Sequence, residues 1–314
     1  AILLRCQFSG KTAHHSQRMK KLFNKFAAPF AALVVGTVVT GCVTGHATKH
    51  ALRDSLTLYA SFDQKLNADV ARGDAKLYGA VSRKTMLPGV IGLPEGGAIE
   101  VARGEGRYGD ALRFNKKSES VVFFKGERNV HYSPTNWNGS ISFWLKLDPD
   151  KDLAPGYCDP IQIAAGSWNN GVFFAEFSKD ETPRHFRFAL RPLIHIWNPK
   201  NVGWEAIPAA DRPMVQFEKP PFGRDRWAHV LFTFENANSG QKNGVGKLYL
   251  NGEFAGEFRD WDLSVNWKPE SILFTIGVYY VGLFDELALF DRALTPAEVK
   301  TVYKLKNGLH TVLK

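Results

Sequence analysis

The chain has 314 residues, 44% of them hydrophobic, which is enough for a domain that buries its own core without disulfide bonds. Its formal net charge is +9, but residues 1–41 hold six of the 40 basic residues and none of the 31 acidic ones, so the remainder carries only +3. The charge therefore gives no support to nucleic-acid binding, and we predict no nucleic-acid partner.

The N-terminal 41 residues are typical of a secretory leader. Residues 1–18 show no apolar periodicity, and we treat them as an upstream extension without assigned structure. After Met19, three lysines within residues 20–25 precede a mostly apolar run from Phe26 to Thr40. This run is shorter than the roughly 20 residues that a membrane-spanning helix needs. Residues 19–41 are therefore predicted to be a signal peptide, with an uncleaved anchor helix as the alternative.

The leader ends in Val39-Thr40-Gly41-Cys42, which resembles the lipobox of bacterial lipoproteins. The resemblance implies cleavage before Cys42 and acylation of its thiol, followed by a short polar tether over residues 42–53. We therefore expect an extracytoplasmic lipoprotein anchored in a bacterial membrane, on the periplasmic or surface face of the outer membrane. Cys158 would then be the single thiol of the domain, a buried core residue without a disulfide partner.

The body of the chain is predicted to be all-β. A first strand covers Leu56 to Phe62, and the glycine-rich stretch 78–109 predicts loops around one or two short strands. Short apolar runs then follow at the spacing of a β-sandwich, over residues 111–114, 120–124, 140–147, 160–165, 172–177, 185–190, 227–234, 246–251 and 271–277. Asn251-Gly252 predicts a two-residue hairpin turn. No helix of length is predicted before Thr295.

The closing segment carries the most specific pattern. A strand around Leu283–Phe290 is apolar on both faces except at Asp285 and Glu286, which we expect to point to opposite faces because they are adjacent. Thr295 and Glu298 then form a capping box, which predicts a short helix.

Two parts of this segment, Phe284–Leu287 and Arg292–Glu298, resemble the closing motif of the laminin-G-like branch of the concanavalin A-like lectin/glucanase superfamily. Further blocks agree with that family in the same order: Leu58–Asp63, Tyr108–Phe114, Gly139–Lys146, Trp227–Val230 and Leu248–Gly252. The resemblance covers residues 54–306 and leaves 307–314 as a tail. It implies a jelly-roll sandwich of two antiparallel sheets with a short C-terminal helix.

The resemblance also implies a structural Ca²⁺ ion. In many relatives, carboxylates matching Asp63 and Asp285 help to hold calcium and tie the chain ends together, and calcium prefers such oxygen ligands. The alternative is a buried Asp285 compensated by backbone amides or by an arginine such as Arg113.

For function, the sequence offers candidates for binding rather than for catalysis. No E-x-D-x-x-E spacing, which would place paired carboxylates for glycoside hydrolysis, is found. Strand alternation sends Trp144, Arg187, Arg191 and His229 outward, and these side chains share one open face if their strands share a sheet. Histidine and arginine could also serve a lyase.

An insertion between Arg191 and Trp227 is rich in proline and aromatic residues, and we expect it to pack over that face. Together with the outward residues, Trp197, Trp204 and Trp168 are candidates for stacking on sugar rings. We therefore predict a non-catalytic carbohydrate-binding or adhesion module for an acidic or hydroxyl-rich glycan. The alternatives are a polysaccharide lyase or glycoside hydrolase with a divergent site, and a structural envelope protein that binds another protein.

Overall fold

The computed structural model describes residues 40–314 except residue 168, and for residues 40–46 it describes the backbone alone. The helices and strands are, in chain order, α1 (Thr40–Ser55), β1 (Leu56–Ala60), β2 (Val70–Ala71), β3 (Tyr78–Ala80), β4 (Val90–Ile91), β5 (Ile99–Ala102), β6 (Ala111–Phe114), β7 (Val121–Lys125), β8 (Trp137–Lys146), α2 (Pro149–Asp152), β9 (Cys158–Ala164), β10 (Val172–Phe177), β11 (Phe186–Arg191), α3 (Ile194–Trp197), β12 (Met214–Phe217), β13 (Ala228–Ala237), β14 (Gly244–Leu250), β15 (Glu253–Trp261), β16 (Leu273–Val278), β17 (Gly282–Phe290) and α4 (Pro296–Lys304). Short 3₁₀ turns cover Trp204–Ala206, Ala209–Asp211, Pro269–Ser271 and Leu309–Val312.

The strands form two antiparallel sheets. The first has nine strands in the order β15-β14-β13-β8-β17-β1-β2, with β6 beside the first half of β17 and β5 beside β6. The second has eight strands in the order β12-β11-β10-β9-β16-β7-β3-β4. The predicted all-β sandwich with a C-terminal helix is confirmed.

The core lies between the sheets and follows the predicted alternation. Phe143 and Phe232 of the first sheet and Phe188 of the second are fully buried. The rings of Phe188 and Phe232 stack across the interface with centroids 4.2 Å apart. Each such burial contributes about 1.5–3 kcal/mol to the stability of the sandwich. Cys158 is buried in this core, as predicted, and burial raises the pKa of its thiol.

The outer face of the first sheet is covered by the C-terminal segment. Its apolar cluster joins α1, the sheet, α4 and the last 3₁₀ turn through Leu52, Leu56, Tyr59, Leu231, Tyr249, Ala288, Phe290, Leu294, Val299, Val302, Leu309 and Val312. The helix α4 begins at the predicted capping box, in which Thr295 and Glu298 exchange side-chain-to-backbone hydrogen bonds. Residues 307–314 are therefore part of the packed domain rather than a tail, because Leu309 and Val312 are buried.

The prediction of no helix of length before Thr295 is wrong, because residues 42–53, expected to be a short polar tether, belong to the 16-residue helix α1. Polar composition suggested a tether, but its alanines, leucine and lysine are good helix formers, and Leu52 packs against the sheet. None of the described helices combines the length and the apolar character needed to cross a membrane.

Candidate functional site

The predicted ligand residues divide between the two sheets. Trp144 and His229 lie on neighbouring strands of the first sheet, where both are buried under Tyr303 of α4. Burial lowers the pKa of His229 to about 3, with Arg107 adding to the effect, so its ring is neutral. The two arginines lie on the other sheet, so the condition for a shared open face, that all these strands belong to one sheet, is not met. Alternation predicts the direction in which a side chain points from its strand but not the sheet that the strand joins.

The two predicted calcium ligands both hold one loop, residues 103–110. Asp285 Oδ2 accepts hydrogen bonds from the backbone N–H groups of Arg107 (2.6 Å) and Tyr108 (3.4 Å), and Asp63 Oδ1 accepts one from Asp110 N–H (2.7 Å). Arg113 pairs instead with Glu105 and Glu100. These amides offset part of the cost of burying the Asp285 carboxyl, and backbone amides are one of the two compensations that the sequence left open.

The fit to calcium is limited to these two carboxylates. Among the described residues, no group of three or more His, Cys, Asp or Glu side chains could hold a metal ion. Calcium takes roughly six to eight oxygen ligands, so backbone oxygens or water would have to supply most of them. Calcium at Asp63 and Asp285 stays a prediction.

Asp285 and Glu286 lie on the same face, contrary to the expectation from their adjacency. A β-bulge interrupts the pairing of β17 with β8 between Asp285 and Ala288, and Glu286 adopts a φ of 55°. The bulge places both carboxyls on the outer face of the sheet, where Asp285 contacts the loop 103–110 and Glu286 contacts the C-terminal segment. Glu286 accepts hydrogen bonds from Tyr59 Oη (2.8 Å) and Leu309 N–H (3.1 Å). Burial raises the pKa of Glu286 to about 7 and that of Asp285 well above its usual range.

The second sheet carries a buried cluster of charged side chains on its outer face. Arg187 Nη2 lies 2.6 Å from Glu176 Oε1 on the neighbouring strand β10, and its guanidinium stacks over the Tyr157 ring. Asp159 on β9 lies near Glu176, and the charge of Glu176 contributes to a raised pKa of the Asp159 carboxyl. Burial raises the pKa of both carboxyls, whereas the arginines oppose this effect. The cluster therefore pairs buried carboxyl groups with buried guanidinium groups, away from solvent.

Arg191 joins this cluster to the insertion. Its guanidinium lies 4.6 Å from the Trp197 ring centroid and 4.5 Å from that of Trp204, and its Nη1 donates to Asn169 Oδ1 at 3.2 Å. Burial lowers the pKa of Arg191 to about 10, so it stays charged at neutral pH. Residues 192–213 thus pack over the second sheet, as we expected, and the stacked arginine fixes two aromatic rings.

A cavity of about 310 Å³ lies between the sheet and this insertion. Its lining includes Tyr157, Glu176, Arg191, Trp197, Asn198 and Trp204, and we call it the arginine–tryptophan cavity. Trp197 is 6% exposed and donates its Nε1–H to Asn169 O, so it forms a fixed wall. Trp204 is half-buried and presents part of its ring to the cavity. Trp168, another predicted ligand residue, lies outside the described residues.

Three residues of this site were missed from the sequence: Tyr157, Asp159 and Glu176. One signal was available for Glu176, because Phe173, Ala175 and Phe177 alternate inward and leave Glu176 outward on β10. Its proximity to Asp159 depends on the order of strands, which local sequence does not specify.

Comparisons with known proteins identify the fold family. Domain 4 of AbnA, a GH43 extracellular arabinanase from Geobacillus stearothermophilus solved in complex with arabinotriose, superposes with a TM-score of 0.50 at 20% identity, over 79% of this chain and 97% of that domain. The binding domain of botulinum neurotoxin DC, solved in complex with rat synaptotagmin II, superposes with a TM-score of 0.53 at 14% identity, over 80% of this chain and 51% of that one. At these identities the likeness shows the fold alone.

Comparison at the level of sequence gives two further matches. The human adhesion G-protein coupled receptor D1 is 31% identical over 94 residues, which are 28% of this chain and 10% of the receptor, so the match spans about a tenth of that protein. The family model of the concanavalin A-like lectin/glucanases superfamily (Laminin_G_3) matches residues 127–300, more than half of the chain. The predicted resemblance is confirmed, and the chain belongs to the concanavalin A-like lectin/glucanase superfamily.

Proposed function

We propose that this protein is a non-catalytic carbohydrate-binding module and that the arginine–tryptophan cavity is its ligand site. The observation that carries the proposal is the lining of the cavity, which combines the half-buried Trp204 ring with the hydrogen-bonding groups of Tyr157, Glu176 and Arg191. Such a combination suits sugars, since aromatic faces pack against the apolar side of a sugar ring while polar groups bind its hydroxyls. The arabinotriose bound to the structurally similar arabinanase domain supports the same class of ligand.

The charge of the cavity favours a hydroxyl-rich glycan over a strongly anionic one. Arg187 lies against Glu176, and Arg191 is enclosed between indole rings. Neither guanidinium therefore presents the open fork that binds carboxylate or sulfate groups in a bidentate manner. The sequence alone predicted an acidic or a hydroxyl-rich glycan, and the charge of the cavity favours the hydroxyl-rich one.

The test blocks the cavity without disturbing the fold. Gly203 lines the cavity, and a Cβ added there meets no atom within 4 Å, so Gly203→Trp should fill the cavity with little strain. Wild type, Gly203→Trp and the exposed control Lys242→Trp would be titrated calorimetrically against arabinan, xylan, β-glucan and mannan, with reducing-sugar release measured in parallel. Binding lost only in Gly203→Trp supports the proposal. Equal binding by all three proteins places the ligand elsewhere, and sugar release would contradict the non-catalytic role.

We also propose that the module is a lipid-anchored bacterial lipoprotein outside the cytoplasm, with Cys42 as the acylated residue. The support is the order of basic, apolar and lipobox-like segments over residues 19–42. Residues 1–39 lie outside the described part of the chain. A module held at a membrane in this way would keep its bound glycan close to the cell envelope.

A protein partner is the second candidate, and an exposed apolar patch favours it. Four of the six strongly exposed large hydrophobic side chains of the described residues are Val81, Leu87, Val90 and Ile91, and β4 is the edge strand of its sheet. An exposed apolar edge is suited to pairing with another chain. The botulinum binding domain, solved with synaptotagmin II, shows that a protein of this fold can bind a protein. In-cell crosslinking of wild type and Ile91→Lys tests this, since an adduct at this patch would disappear in the variant.

A further inference from the structure

A second cavity of about 780 Å³ lies on the outer face of the same sheet. Its floor comes from Ala164 on β9 and from Leu273 and Thr275 on β16, and the segment around Leu87 borders one side. We call it the larger cavity. The proposed function makes no use of it.

The two cavities are neighbours across the strands. Leu273, Ala164, Val172 and Arg191 form one row of paired positions on β16, β9, β10 and β11. The first two residues line the larger cavity and Arg191 lines the arginine–tryptophan cavity. Neighbouring strands lie about 4.8 Å apart, so Ala164 and Arg191 are separated by about 10 Å.

The β9–β10 loop also connects them. Ser167 lines the larger cavity, and Asn169, two residues further on, lines the arginine–tryptophan cavity. Val172, in the middle of the row, is fully buried, so an extended ligand would pass over Ser167 and Asn169 rather than along the strands. Such a ligand would contact both cavities.

The chemistry of the larger cavity suits the same class of ligand. Leu273, Leu87 and Ala164 supply apolar surface, whereas Lys84, Glu270 and Ser271 supply hydrogen-bonding groups of both signs. Lys84 and Glu270 are exposed, on separate segments of the lining. Apolar surface beside mixed polar groups fits the ring faces and hydroxyls of a sugar, as in the first cavity.

We infer that the larger cavity is a second subsite for the same glycan, so the ligand is a linear oligosaccharide stretch long enough to occupy both cavities. This inference rests on the proposed function of the arginine–tryptophan cavity. Once one end of such a chain is bound, the second contact becomes intramolecular and raises the affinity without a second encounter. The protein would then prefer the interior of a polysaccharide over a mono- or disaccharide.

The experiment uses a variant that fills only the larger cavity. Gly166 lines it, and a Cβ added there meets no atom within 4 Å, so Gly166→Trp is the counterpart of Gly203→Trp. Lys84→Trp, on another part of the lining, serves as a second variant if Gly166→Trp fails to fold. The probes are the trisaccharide and the hexasaccharide of arabinan, xylan, β-glucan and mannan, measured by calorimetry on the full-length domain.

We expect wild type to bind the hexasaccharide of its glycan about tenfold more tightly than the trisaccharide, and Gly166→Trp to lose this advantage while it keeps its trisaccharide affinity. Gly203→Trp is expected to lose both. A hexasaccharide advantage that survives in Gly166→Trp, or no advantage in wild type, would overturn the second subsite and leave the proposed function standing. Failure of every probe to bind wild type would overturn the proposed function and the inference with it.

Discussion

Glu286 makes the stability of this protein dependent on pH, and its replacement by glutamine tests the reason. The carboxyl is 2% exposed and lies beneath the C-terminal segment, where it accepts hydrogen bonds from Tyr59 and from the backbone of Leu309. Burial is the largest cause of its raised pKa, and the charges of Asp63 and Asp69 add to it. Glu286→Gln keeps the size of the side chain and removes its titration.

The size of the effect follows from the rise of the pKa of Glu286 from 4.5 in the unfolded chain to about 7 in the folded one. Because the folded state binds this proton more tightly, stability is greatest below pH 4.5 and falls as the pH rises to about 7. A tenfold difference in proton affinity corresponds to about 1.4 kcal/mol, so the full loss of stability is about 3 kcal/mol. Above that range the contribution is constant.

The measurement is the free energy of unfolding in urea at intervals from pH 4.5 to 8, for wild type and Glu286→Gln. The difference between the two proteins should change by about 3 kcal/mol over this range in favour of the variant at high pH, while titrating groups that do not interact with Glu286 cancel. Two curves that stay parallel would refute the reasoning, because they would mean that Glu286 titrates alike in both states.

Further variants and conditions test the anchor, the calcium site, the stacked arginine and the charge of the ligand. Cys42→Ser should leave an unprocessed, unacylated precursor, and mass spectrometry of a mature chain starting elsewhere would contradict the lipoprotein proposal. If calcium binds at Asp63 and Asp285, it should raise the melting temperature of wild type but not of Asp285→Asn; equal wild-type melts in calcium and in chelator, with no metal in the purified protein, would refute the site. Arg191→Ala should lower stability by about 2 kcal/mol, because it removes a buried cation stacked on two indole rings, and an unchanged urea midpoint would contradict this. Glycan affinity should change little with added NaCl, since Arg187 already lies against Glu176, whereas a steep decrease would indicate an anionic ligand.

Local sequence patterns correctly predicted the features of the fold whose interacting residues are close together in the sequence. Alternation placed Phe143 and Phe232 in the core, because neighbouring residues of a strand point to opposite faces. The capping box at Thr295 and Glu298 formed as expected, since both partners of its hydrogen bonds lie within one turn. The dense aromatic content of the insertion correctly indicated that it packs over a sheet.

The remaining features depend on pairing between distant parts of the chain. Whether His229 and Arg187 share a sheet is decided by strand order, which brings β13 beside β8 and β11 beside β10. The bulge that turns Glu286 to the face of Asp285 is likewise a departure from regular pairing within an ordinary strand sequence. The helix α1 is stabilised by tertiary packing as well as by its composition, because Leu52 is buried against the sheet.

The two outer faces of the sandwich differ in what covers them, and this difference supports the proposed position of the ligand site. On the first sheet, α4 and the last 3₁₀ turn close over the strands, and Tyr303 of α4 covers the outward Trp144 and His229. On the second sheet, the insertion packs against Arg191 through the Trp204 ring and leaves a cavity between itself and the strands. Outward polar and aromatic side chains can meet a ligand only where a covering segment leaves such space. The C-terminal segment therefore supplies stability, whereas the insertion supplies the site through which we propose that the protein binds its glycan.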